Sequence, residues 1–282
     1  MTGIGIGLRR FLIGLPLVWL FGFFLLPLAI VAAISFAESA DAIPPFKLTW
    51  TLSNYAALCS GCMRVYASSL SLAALATLLC LLIGYPVAFA IARAPGAWRQ
   101  LLLFLVMLPF WTSFLIRVYA WIAILQPSGL INRLLLAAGL IETPLPLLYN
   151  GFSVTLGLVY SYLPFMILPL YGSLSRLDDS LVEAAADLGA RPRRVFAEVI
   201  LPLSLPGVVA GCLLVFIPAV GEFVIPDLLG GPGTLMVGKM LWQEFFDNVD
   251  WPAAAAIAMA LVALLTLPLL VAQRFLERQG AA

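Results

Sequence analysis

A chain of 282 residues that is 63% hydrophobic and only 10% charged does not describe a water-soluble globule. Its formal net charge is +1 and it contains no histidine, so it lacks the commonest general base and metal ligand, and hydrolysis, a zinc site or a nucleic-acid partner are poor readings. The composition instead predicts an all-α integral membrane protein in contact with lipid.

A helix needs about 20 mostly apolar residues to cross the hydrocarbon, and six such runs follow one another along the chain. They lie near Phe11 to Phe36, Ser68 to Ile91, Leu101 to Leu125, Phe152 to Leu174, Leu205 to Leu228 and Pro252 to Ala272. Pro16, Pro27, Pro86, Pro109, Pro164, Pro169 and Pro218 fall in or near them, as membrane helices tolerate. Arg9-Arg10 before the first run reads as a positive anchor rather than an export signal, and that run is too long for a cleaved signal. Cys59-Ser60-Gly61-Cys62 falls in the first outer link and permits a small disulfide, whereas Cys80 and Cys212 read as small buried apolar residues. Basic residues set the orientation. Placing both termini and the links after runs two and four on one side puts ten there, namely Arg9, Arg10, Arg93, Arg99, Arg176, Arg191, Arg193, Arg194, Arg274 and Arg278. Lys47, Arg64, Arg133 and Lys239 fall on the other side and Arg117 within a run, so both termini are expected in the cytoplasm.

Between runs four and five, residues 175–204 form a polar loop with strong local signals. Ser180 and Glu183 read as a capping box, Ala184 to Leu188 favours helix, Gly189 can take the left-handed conformation that stops it, and Pro192 can open a second short helix. Helix, glycine turn, helix is the expected product. Such a loop can also rest on lipid headgroups, with Arg191, Arg193 and Arg194 as its basic face.

The spacing Glu183-Ala184-Ala185, three residues, Gly189, nine residues, then Val199-Ile200-Leu201-Pro202 resembles the EAA motif of permease subunits of ATP-binding-cassette importers, with Val199 in place of the usual Ile. The resemblance implies a type I ABC importer permease fold in one transmembrane domain over 1–282. It also implies that Glu183, Ala184, Ala185, Gly189, Arg191 and Pro202 belong to a coupling loop that docks on a separate ATPase. There is a physical rationale: small alanines allow close approach, Glu183 offers a charge-assisted contact and Gly189 sets the bend. No Gly-x4-Gly-Lys-Ser/Thr phosphate loop occurs, so no cofactor is expected on this chain, with ATP and magnesium on the partner.

Two longer stretches, Leu108 to Trp121 and Val220 to Gly231 continuing through Trp242-Gln243-Glu244 to Asp250-Trp251-Pro252, resemble the polyamine importer permeases, and the putrescine-type subunit most. That likeness implies a multi-pass protein of a bacterial cytoplasmic membrane and four kinds of component. These are a second related permease, an ATPase dimer, an extracytoplasmic polyamine-binding protein and this chain. Spermidine or another small organic amine is the alternative cargo; a stand-alone secondary transporter or an assembly subunit are rivals of other classes.

Residue chemistry adds candidates for a cation path. A carboxylate facing lipid at mid-membrane costs about 2.5 to 3.5 kcal/mol, so Glu222 and Asp227 should face protein or water. Glu222 either lines the path or pairs with Arg117, and Asp227 reads also as an interfacial helix cap. Trp111, Tyr119 and Trp121 can surround an ammonium, although belts of interfacial aromatics are commoner than cages. Asp250-Trp251-Pro252 is explained as cap, anchor and first-turn proline of the sixth helix.

Overall fold

The computed structural model describes residues 6–280, without the side chains of 6–10, 59–61, 275, 276 and 278–280. The side chains of Arg9, Arg10, Cys59 and Arg278, which enter the charge and cysteine patterns, lie outside the described residues. Described helices run in chain order α1 (Ile6–Leu20), α2 (Leu26–Ile34), α3 (Ser53–Gly61), α4 (Met63–Arg93), α5 (Gly96–Met107), α6 (Phe114–Leu125) and α7 (Leu130–Ala137). They continue as α8 (Gly151–Leu174), α9 (Asp179–Asp187), α10 (Pro192–Val195), α11 (Leu201–Val220), α12 (Val224–Leu229), α13 (Val237–Trp242) and α14 (Trp251–Gly280). Strands β1 (Ala37–Ser39) and β2 (Phe46–Leu48) form one antiparallel hairpin.

Six helical stretches among the described residues are long and apolar enough to cross a membrane: Phe11–Ile34, Met63–Arg93, Phe114–Ala137, Gly151–Leu174, Pro192–Val220 and Trp251–Arg274. The number agrees with the sequence reading, but two spans differ in form. The run expected from Leu101 to Leu125 is broken: α5 ends at Met107, a 3-10 turn covers Leu108–Trp111, and Thr112 and Ser113 are extended before α6. Pro109 removes a backbone donor there, and helical pairing restarts only at Phe114. The fifth run begins earlier than expected, at Pro192, and stops at Val220 rather than reaching Leu228, leaving α12 as a separate helix.

Two compact units divide the chain. One comprises Met1–Met63 and Leu241–Ala263. In it the hairpin pairs Ala37 with Leu48, Glu38 with Lys47 and Ser39 with Phe46. Asn54 of α3 donates its side-chain amide to the carbonyls of Ser35 and Ala37, fixing the chain that leaves α2. Asp250 caps α14 by accepting from the Ala253 N–H at 3.0 Å, as expected, and also accepts from Ser39 Oγ at 2.6 Å, joining the cap to the hairpin. Trp251 stacks on Phe245 with centroids 5.3 Å apart. Cys62 is a free thiol.

The other unit comprises Arg64–Met240 and Leu264–Ala282. Its core is α8, whose Met166 fills the space beside glycines on two neighbours. A Cβ at Gly84 of α4 would lie 3.0 Å from Met166 Cγ, and one at Gly211 of α11 would lie 2.7 Å from Met166 Sδ. Ala73, Ala76, Cys80 and Ala88 line the same buried face of α4 as Gly84, so small residues at helical spacing let the helices approach closely. Cys80 is fully buried, its thiol 3.7 Å from the Val159 carbonyl, in keeping with a packing role; Cys212 is half-buried. Asn132 of α7, also buried, exchanges two hydrogen bonds with the backbone of Leu145 and holds the chain before α8.

Candidate functional site

Residues 175–204 fold as helix, turn, helix, with one difference at the start. The cap of α9 is Asp178, whose carboxylate accepts from the Ser180 N–H at 3.0 Å, so Ser180 and Glu183 do not form the expected capping box. Three consecutive residues, Asp178, Asp179 and Ser180, are all able to cap, and the Glu three positions beyond Ser180 pointed to the wrong one. The hydrogen bond from the Ser180 backbone holds the exposed Asp178 carboxyl below its usual range.

The end of α9 matches the expectation closely. Gly189 has φ +78°, and its N–H donates to the Ala186 carbonyl at 2.8 Å while the Ala190 N–H reaches Ala185 at 3.1 Å. Those two bonds are a Schellman closure, which needs a left-handed residue at the position of Gly189. Arg191 then stands at the N-cap position of α10 without a side-chain capping bond, and Pro192 occupies the first turn. Glu183, Ala184, Gly189, Arg191 and Pro202 are all exposed, Ala185 is half-buried and Leu188 is 89% exposed. Glu183 makes no hydrogen bond or ion pair among the described residues. The loop thus presents a carboxylate without a hydrogen bond or ion pair among the described residues, small residues and two exposed leucines, Leu181 and Leu188.

Beyond α10 the loop does not relax into a link. Phe196–Ile200 is a π turn in which the Leu201 N–H donates to the Phe196 carbonyl, and α11 follows without interruption. Pro202 has no N–H to continue the ordinary ladder, and the wider turn before it absorbs that loss. The motif's final proline therefore lies inside a continuous helical stretch from Pro192 to Val220.

The candidate path residues are more dispersed. Glu222 sits in the break between α11 and α12. Its Oε2 accepts from the Tyr162 hydroxyl of α8 at 2.6 Å, and its Oε1 accepts from the N–H groups of Phe223 at 3.2 Å and Val224 at 3.0 Å. The expected alternative, a pair with Arg117, is not formed. Arg117 lies 5.7 Å from each of the Phe110 and Phe114 ring centroids, and its Nε is buried without a hydrogen-bond partner. The guanidinium rests against aromatic faces on its own stretch of chain rather than a carboxylate from another helix, and its Nε–H is left without an acceptor. Tyr162 was absent from the sequence candidates; a lone tyrosine in an apolar helix carries no local signal.

Asp227 makes no cap hydrogen bond among the described residues, although its charge suits the N-terminal end of a helix dipole. It lies in the first turn of α12 and pairs with Lys239 at 3.1 Å. The three aromatics do not meet. Trp111 is 75% exposed against Phe104, Trp121 contacts Tyr160, and Tyr119 is exposed, two positions from Trp121 and so on a different helix face. No cage is formed by these residues among the described side chains.

The family described as "Binding-protein-dependent transport system inner membrane component" matches residues 81–279. The chain is 44% identical over 257 residues to the spermidine/putrescine transport system permease protein PotB of Haemophilus influenzae, covering 91% of this chain and 90% of that protein. It is 42% identical over 265 residues to the PotB of Escherichia coli, covering 93% and 96%. Among solved structures, a chain of a bacterial ABC transporter involved in the import of the acidic polysaccharide alginate superposes with a TM-score of 0.70 at 17% identity, covering 96% of both chains. A similarity at that identity concerns the fold.

Proposed function

The chain belongs to the inner membrane components of binding-protein-dependent transport systems, a permease subunit of the ABC-importer fold and not an enzyme, and from that premise we propose that its cargo is a polyamine. The observation that carries this reading is the carboxylate of Glu222. It accepts three hydrogen bonds from neutral donors and no cation pairs with it among the described residues, so its charge is held but not balanced. Oε1 already has two donors, whereas Oε2 has one and keeps a lone pair for another. An ammonium passing that atom gains a charge-assisted hydrogen bond. Non-helical backbone on both sides of Glu222 is compatible with a place beside a path through a membrane domain. Asp227, Trp111, Tyr119 and Trp121 have weaker claims to the path, because Asp227 is already paired with Lys239 and the aromatics are separated.

Putrescine is the cargo we place first, on the resemblance of Leu108–Trp121 and Val220–Gly231 to putrescine-type permeases. Spermidine is the second reading, since the relatives' names join the two amines. In this reading Glu183, Ala184, Ala185, Gly189 and Arg191 dock on an ATPase subunit, which handles ATP and magnesium, and Pro202 joins the docked loop to the fifth span. A second permease completes the path, a binding protein delivers the amine from outside, and both termini lie in the cytoplasm of a bacterial cell.

Purification from native membranes with mass spectrometry of accompanying chains, followed by uptake of labelled putrescine and spermidine into proteoliposomes, tests both halves. An ATPase and a second permease should accompany the chain, and Gly189→Asp should weaken retention of the ATPase. Glu222→Gln keeps an oxygen for the backbone donors but loses the charge; it should slow uptake about tenfold, equivalent to about 1.4 kcal/mol, without loss of assembly. Unchanged uptake by Glu222→Gln overturns the path reading, and a chain that purifies without an ATPase overturns the coupling reading.

A further inference from the structure

On one face of α4, Arg93 and Tyr85 meet the two ends of the coupling loop, and Phe89 between them lies against the Arg93 guanidinium. Tyr85, Phe89 and Arg93 are spaced by four, so they stack along a single helix face. At the head of the loop, Arg93 forms an ion pair with Asp179, and its guanidinium also lies over the Phe89 ring at 5.5 Å. Arg93 is the last residue of α4 and Asp179 the first of α9. The negative end of one helix dipole therefore carries a cation and the positive end of the next carries an anion, and the two charges join the helices.

At the far end of the loop, Tyr85 makes two contacts. Its ring meets Phe196 of the π turn edge-on at 5.6 Å, and its hydroxyl lies 2.8 Å from Ser204 Oγ in α11. Ser204 Oγ already donates to the Leu201 carbonyl at 3.0 Å, so Tyr85 is the donor to it. Ser204 is fully buried, and this hydrogen bond completes its partners.

We propose that Tyr85, Phe89 and Arg93 are positioning residues that fasten the coupling loop to the second span and carry its displacement into the membrane helices. The proposal rests on the reading of α9 as the ATPase-docking helix. The Arg93 side chain is 34% exposed and that of Asp179 68%, a setting in which an ion pair adds little to global stability. What the pair does supply is a fixed attachment, because α9 is otherwise exposed along most of its length. With α10, the π turn and α11 continuous, a push on α9 reaches α11 through the chain itself and reaches α4 through these three side chains.

The test uses the complete complex in proteoliposomes, with labelled putrescine and spermidine and ATP as probes. Arg93→Gln and Asp179→Asn should each leave the ATPase subunit bound and reduce amine taken up per ATP hydrolysed by about fivefold, within the range for mutations along a coupling network. The exchange Arg93→Asp with Asp179→Arg should transport better than either single variant, although incompletely, since each charge then faces the unfavourable end of its helix. Tyr85→Phe keeps the ring contact with Phe196 and should give a smaller loss of the same kind. An unchanged ratio in both single variants, or an exchange no better than they are, overturns the proposal. If Gly189→Asp releases the ATPase while Arg93→Gln leaves the ratio intact, only the fastening role fails; if Gly189→Asp leaves the ATPase bound, the docking role itself fails.

Discussion

At the head of α9 the choice between Asp178 and Ser180 has a measurable consequence. Asp178 accepts the Ser180 N–H, and this bond favours the charged carboxylate over the protonated form. Since the folded value is depressed, the cap's contribution is complete above the ordinary carboxylate pKa and is lost as pH falls through the folded value. Amide exchange in the first turn of α9, corrected for intrinsic rates, should therefore accelerate on acidification in the wild type. Asp178→Asn should retain an acceptor and remove that pH dependence, whereas Asp178→Ala should fray the turn at every pH. A wild-type profile in Asp178→Asn would show that another group governs the turn. The same scale separates Glu222 from Asp227: two carboxylates close in sequence, one held by neutral donors and one paired with Lys239.

Two of the π turns in this chain stand directly before a Leu-Pro pair. The π turns at Phe21–Leu25 and Phe196–Ile200 each precede a Leu and then a Pro, Leu26-Pro27 and Leu201-Pro202, and each closes with the leucine N–H donating five residues back. Proline's missing donor leaves one carbonyl without its ordinary partner, and a widened turn redistributes the remaining bonds without ending the helix. In the fifth span this keeps α10 and α11 in one continuous helical stretch, whose α11 part packs on α8. A Cβ at Gly207 would meet Ser173 Cβ at 2.6 Å and the Pro169 carbonyl at 2.8 Å. Since a carbonyl of the neighbouring helix cannot rotate away, Gly207→Ala should destabilise the protein by about 1 to 3 kcal/mol, read as a lower midpoint of unfolding in detergent. Gly172→Ala is the control, with nothing within 4 Å of the added carbon, and should be neutral or gain up to about 1 kcal/mol from helix propensity. Equal effects of the two would mean that close approach at Gly207 is not what limits this packing.

For the whole molecule, the distribution of Arg and Lys predicts which links face the cytoplasm. In a cysteine-free background, Ser180→Cys should react with a membrane-impermeant maleimide only from the cytoplasmic face, and Ile43→Cys, at a fully exposed hairpin position, only from the outer face. Labelling of both from one side would overturn the orientation.

Much of this protein is legible without its structure because the relevant physics is contiguous in the chain. An apolar run of about 20 residues crosses a membrane wherever it occurs, so lipid as solvent and six spans follow from composition and spacing. The stop of α9 at Gly189 and the start of α10 at Pro192 follow in the same way, since both are rules about neighbouring backbone atoms. Pro109 illustrates the limit, for a membrane helix can pass through a proline or break at one, and only the surrounding packing decides; here the span breaks. The partners of the charged groups were decided by tertiary structure alone. Glu222 meets a tyrosine 60 residues away and Arg93 an aspartate 86 residues away, and these meetings depend on how helices lie against one another. No hydrophobic period records which side chain of a neighbouring helix arrives at a given depth, so the sequence determined the helices and their solvent, and the packed structure determined which charged groups meet which partners.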